Sequence, residues 1–171
     1  MADFQPAFEK MILNEGGYKN HNVAGDRGGQ TYAGIARTRH PNWSGWQLID
    51  KNDLENEALT GKVFEFYKSE FWDRVKGDQI TQQRVASSLF DFAVNAGVGT
   101  AAKLAQIVIS STPDGIIGSK SIAKLNTVDE ELFVAKYSLA KVARYAQIVM
   151  RDRSQGKFLL GWINRTLGDI E

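Results

Sequence analysis

The sequence has no cysteine, only two histidines and only three prolines. Without cysteine there is no disulfide scaffold, no thiolate zinc site and no cysteine nucleophile. His21 and His40 are too few and too far apart in sequence to argue for zinc, so no metal is expected. Charge of one sign is lacking too: 21 Lys and Arg face 20 Asp and Glu, for a formal net charge of +1. A chain living on nonspecific phosphate contacts carries a clear basic excess, so nucleic acid is not an expected partner. No apolar run reaches the roughly eighteen residues a membrane span needs, and no stable membrane insertion is expected. The first six residues, Met1 to Pro6, lack a basic stretch followed by an apolar one. No secretory signal is expected from them.

What is present suits a globular protein. At 171 residues with 43% hydrophobic side chains, the chain can bury one proper core, or two small lobes sharing one. The segment Asp50 to Glu57 is acidic, whereas Lys136 to Arg153 carries Lys136, Lys141, Arg144, Arg151 and Arg153 against Asp152 alone. That basic stretch fits either a face toward an anionic polymer or a merely solvated helix face.

Hydrophobic spacing gives the elements. Phe4, Phe8, Met11, Ile12 and Glu15 share one helical stripe, which stops at Gly16-Gly17 where positive φ is wanted. From Tyr18 to about Ile35 the stripe gives way to Gly25, Gly28, Gly29 and Gly34 among Asn and Asp, a hairpin or small irregular sheet. Pro41 to Gly45 reads as a loop. Further helices are expected from a cap at Asp53 to about Trp72, over Gln82–Asn95, Ala101–Ile109 and Ser119–Leu125, from Asp129 to Arg153, and over Lys157–Arg165. The expected class is α+β, mainly α, with one small β-hairpin near the N-terminus. A soft boundary at Gly77 to Thr81 suggests residues 1–78 and 79–171 as two regions of one compact unit, without an internal repeat.

Glu15 is the first candidate for chemistry. It sits on the core-facing stripe and in the last helical turn, where exposed carbonyls give partial negative charge. Desolvation and that negative end both disfavour the ionised form. A carboxylic acid kept protonated is what donating a proton to a glycosidic oxygen requires. Glycosidic cleavage also uses a second carboxylate to activate water or attack directly. Asp26, inside the Gly-rich segment, is the candidate, with Thr31 to orient a water. Singly, each is ordinary: a solvated Glu, a turn Asp and a strand Thr.

Asp91 and Asn95, one turn apart on an otherwise apolar helix, either line a cleft and bind an N-acetyl group or cap the helix end. Tyr18 and Tyr32, beside the Glu15 segment, are candidate sugar-stacking rings. Trp162 with Arg165 reads as core packing with a surface arginine. Asp114-Gly115-Ile116-Ile117-Gly118 has too few acids for an EF-hand, and a tight turn before a helix suffices.

Taken together, Glu15-Gly16-Gly17-Tyr18 and Asp26-Arg27-Gly28-Gly29-Gln30-Thr31-Tyr32-Ala33-Gly34-Ile35 closely resemble the N-terminal signature of glycoside hydrolase family 108 muramidases. That family includes phage-type endolysins and proteins once labelled secretion activators. The order Glu, Asp, Thr also resembles the phage T4-type lysozymes, with slightly different spacing. The segments Phe90 to Gly97, Asp114 to Gly118 and Phe158 to Arg165 look like the predicted peptidoglycan-binding region that accompanies the catalytic part. The resemblance implies a lysozyme-like fold and a bacteriolytic muramidase that hydrolyses the β-1,4 bond between N-acetylmuramic acid and N-acetylglucosamine. Glu15 would be the acid, with Asp26 and Thr31 its partners; Tyr18, Tyr32, Asp91 and Asn95 are candidate substrate contacts by their own placement, not by the resemblance. No cofactor is implied. The expected partner is the peptidoglycan glycan strand, met as a monomer in the periplasm or cell wall after synthesis in the cytoplasm and holin-type or other non-classical release. A lytic transglycosylase, a noncatalytic wall-binding module and a secretion-accessory protein are the competing readings.

Overall fold

The computed structural model describes residues 1–21 and 29–170. It is a mainly helical α+β structure, and among those residues the only sheet is a small one near the N-terminus. Helix α1 covers Phe4–Asn14 and buries Phe8, Met11 and Ile12. Its end is a Schellman motif: the Gly17 N–H donates to the Ile12 carbonyl at 2.8 Å and the Gly16 N–H to Leu13 at 3.0 Å. Gly16 takes φ +87°, so glycine is what lets the chain leave the helix here.

Strands β1 (Asn20–His21), β2 (Thr31–Tyr32) and β3 (Ile35–Ala36) form one antiparallel sheet in the order β1-β2-β3. The expected single hairpin is thus extended by one strand. Tyr32 pairs with Ile35, and the two residues between them, Ala33 at φ +48° and Gly34 at φ +80°, make the tight turn that matches strand twist.

Helix α2 (Trp46–Asp50) is a short element not anticipated from the sequence. Helix α3 (Glu57–Tyr67) starts at Asn56, whose Oδ1 accepts from the Ala58 N–H at 2.9 Å. Asp53, the expected cap, instead accepts from Asn56 Nδ2 at 2.7 Å. Past Tyr67 the coil widens into a π-turn over Lys68–Trp72, so helical structure ends near Trp72 as spacing predicts. Helices α4 (Gln83–Ala96), α5 (Val98–Val108), α6 (Ser119–Leu125), α7 (Glu130–Arg151) and α8 (Gly156–Leu167) follow.

Two compact units result: Gln5–Glu70, and Met1–Phe4 with Phe71–Glu171. In the first, Phe8 meets Phe64 edge-on at 5.1 Å, and Trp43 stacks on Tyr32 at 6.4 Å. Arg37 clamps Asp50 through two bonds of 2.6 and 2.7 Å while lying over the Trp46 ring. In the second, Phe4, Trp72 and Phe90 pack mutually at 5.3 to 5.7 Å. Lys141, read from sequence as part of a basic face, is only 1% exposed. Its ammonium donates to Asp169 at 2.5 Å and to Ser88 Oγ at 2.9 Å. No helix among the described residues is long and apolar enough to cross a membrane.

Candidate active site

Glu15 is the C-cap of α1, the residue through which the helix hands over to the Gly16-Gly17 turn. It is half-buried. Its neighbour is the β2–β3 turn: a β-carbon built on Gly34 would lie 2.9 Å from Glu15 Oε2 and 2.5 Å from the Tyr67 hydroxyl. That hydroxyl donates to the carbonyl of Ala33 at 2.8 Å, fastening the turn to α3. Three elements therefore meet around one carboxylate: the end of α1, the sheet turn and the last residue of α3. Tyr67 falls on the apolar side of α3. A tyrosine on such a stripe signals that its hydroxyl needs a buried partner, although the partner's identity is not local information.

Thr31 lies half-buried in β2, opposite His21 and Ala36, on the strand that leads into this turn. Asp26 lies outside the described residues. Tyr18 is 41% exposed, with burial of its inner edge and nearby Glu9 pushing its phenol pKa up. It lines a hollow of about 570 Å³ between α1 and α3, together with apolar Phe8, Ile12, Leu13 and Phe64 and with Glu9 and Glu65. Tyr32 is 3% exposed, and its ring stacks on Trp43 as part of the core of this unit. Strand alternation explains the difference between Tyr32, turned inward, and Thr31, its half-buried neighbour.

Asp91 and Asn95 belong to the other unit. Asp91 is buried on α4, and Arg165 of α8 holds it through Nε at 2.8 Å and Nη2 at 2.9 Å. Arg165 is thus no free surface arginine but half of an ion pair between helices. Asn95 Nδ2 donates to the Tyr145 hydroxyl at 3.2 Å. Neither residue closes the α4 end, which turns at Gly97 with its N–H on the Ala93 carbonyl. The Asp114 turn is stitched by Gln106, whose amide donates to Asp114 at 2.7 Å and accepts from the Gly115 N–H at 2.9 Å.

A family model described as "Glycosyl hydrolase 108" matches residues 8–97, more than half of the chain. The chain belongs to the glycosyl hydrolase 108 family. The matched stretch contains Glu15, Tyr18, Asp26, Thr31, Tyr32, Asp91 and Asn95. Residues 100–167 match a second model, described as "Predicted Peptidoglycan domain". Among solved structures, this glycosyl hydrolase 108 member is similar to SagA of Brucella abortus. The TM-score is 0.70 at 23% identity, over 98% of this chain and 95% of that one, so the fold is shared from end to end. No curated protein matches the chain.

Proposed function

We propose that the chain is a peptidoglycan N-acetylmuramidase that hydrolyses the β-1,4 bond between N-acetylmuramic acid and N-acetylglucosamine, with Glu15 as general acid. One observation carries the reading: within the family-matched stretch, Glu15 caps a helix and lies with its carboxyl against the backbone of the sheet turn. Such a carboxyl meets a fixed backbone wall on one side. The match of residues 100–167 to a model described as a predicted peptidoglycan domain supports peptidoglycan as the substrate class.

In the proposed reaction Glu15 passes its proton to the glycosidic oxygen as the bond to the anomeric carbon breaks. Positive charge builds on the sugar ring. A water held by Thr31 adds to that carbon, and Asp26 takes its proton or stabilises the charge. Tyr18 supplies an exposed ring for sugar stacking. Tyr32 supports the sheet from within rather than touching sugar. The reaction needs no cofactor, and its place is the periplasm or cell wall, where the substrate lies.

The test is turbidity loss of purified sacculi. Glu15→Gln should slow clearing by about 10²-fold or more, with the thermal midpoint unchanged. Equal clearing by both proteins would end the assignment. Anhydro sugar ends in the products, seen by mass spectrometry, would replace hydrolysis by transglycosylation.

A further inference from the structure

The unit Gln5–Glu70 has a second hollow, of about 520 Å³, between residues 39–44 and the side of α3 that runs on to Ser69 and Glu70. We infer that it is a second substrate site, which takes the zwitterionic peptide stem of peptidoglycan; this rests on the substrate proposed above. The volume lies within the usual range for ligand sites.

Its walls are tied together. The Trp43 indole N–H reaches the Lys62 carbonyl at 3.4 Å, and the Lys62 ammonium donates to Ser44 Oγ at 3.1 Å. A β-carbon on Gly45 would fall 2.3 Å from the Trp43 ring, so glycine is what allows the indole to lie back over the loop. Phe66 forms an apolar floor, with the His40 ring edge-on at 4.7 Å.

Charge selects the occupant. Arg39 and Lys62 bring positive charge, and Glu65 and Glu70 negative. Arg39 and Glu65 are exposed, and they form no ion pair with each other. A glycan of N-acetyl sugars is neutral once each lactyl carboxyl is amide-linked to peptide. Laid here, it would desolvate the Arg39 and Glu65 charges and answer neither. A polyanion would meet the two glutamates. The stem peptide carries carboxylates together with the free ammonium of its diamino residue, and its methyl groups suit Trp43 and Phe66. Such a site would let the enzyme grip the wall by its peptides while the glycan is cut elsewhere.

Amide and indole NMR spectra of the whole chain test this with two probes. One is the free tetrapeptide L-alanyl-γ-D-glutamyl-diaminopimelyl-D-alanine; the other is peptide-free N-acetylchitotetraose. The tetrapeptide should move the Trp43 indole and Ser44 amide signals saturably, and chitotetraose should leave them in place. The double variant Arg39→Ala/Glu65→Ala, and separately the reversal Glu65→Lys, should weaken tetrapeptide binding about tenfold or more, with the thermal midpoint unchanged. Unmoved signals, wild-type affinity in both variants, or shifts with chitotetraose alone would overturn the peptide site. An inactive protein that still binds tetrapeptide would sink the muramidase reading alone. A sacculus-clearing protein that ignores tetrapeptide would sink the pocket alone.

Discussion

At position 34 a methyl group would have to share space with the Tyr67 hydroxyl, the Glu15 carboxylate and a backbone already at φ +80°. Gly34→Ala is therefore expected to destabilise the chain by about 1–3 kcal/mol through crowding, with added backbone strain. It should also shift Glu15, so sacculus clearing falls even where urea titration shows the protein still folded. Clearing at the wild-type rate by a folded Gly34→Ala would separate the turn from the role proposed for Glu15. Tyr67→Phe keeps the ring but leaves the buried Ala33 carbonyl without its donor, a loss of about 1–2 kcal/mol by the same titration. The place of Glu15 at the end of the first helix was legible in the sequence because a helical stripe and two glycines are local signals. The need for Gly34 was not, because it arises from Tyr67 far along the chain.

Helices α4, α7 and α8 are joined by polar pairs inside apolar surroundings. Lys141 sits among Ser88, Asp169, Phe92 and Tyr137, and burial pushes its ammonium pKa down although Asp169 beside it pulls the other way. Removing one partner strands the other charge. Lys141→Met should thus lose about 3–5 kcal/mol, whereas Lys141→Met with Asp169→Leu should recover most of that. A urea cycle over the wild type, two singles and the double reads the coupling; equal loss in single and double would mean the ion pair is irrelevant to the fold. Periodicity placed these helices within a few residues, and Ser119–Leu125 matched end to end. It could not show which polar residues turn inward. A lysine at an apolar-stripe position and a solvated lysine look alike until the facing helix is known. The same holds for the choice of Asn56 over Asp53 as cap.

Over the whole molecule, the switch from helical spacing to a glycine-dense stretch was enough to fix a mainly helical protein with a small sheet. The composition of the compact units was not legible, because Met1–Phe4 joins the larger one through Phe4 packing on Trp72 and Phe90. Response to acid is a property of both units. Three carboxylates are held below their ordinary range: Asp50 by the Arg37 guanidinium, Asp114 by the Gln106 amide and Ile116 N–H, and Asp152 by the Ser154 hydroxyl and N–H. With each folded pKa below its unfolded value, the unfolded chain takes up protons first as pH falls. Their contribution is complete above the unfolded value of about 3.9 and disappears as pH drops through the lowered values. Asp50 lies in Gln5–Glu70, and Asp114 and Asp152 lie in the other unit. Urea midpoints should therefore fall between about pH 5 and about pH 2 for probes in either unit, such as Trp46 and Trp162 fluorescence in single-tryptophan variants. Asp50→Asn should lower the neutral-pH midpoint and flatten the acid response of the Trp46 probe while leaving that of Trp162. A Trp46 response as steep in Asp50→Asn as in wild type would show that the Arg37 clamp is not the source of acid sensitivity in that unit.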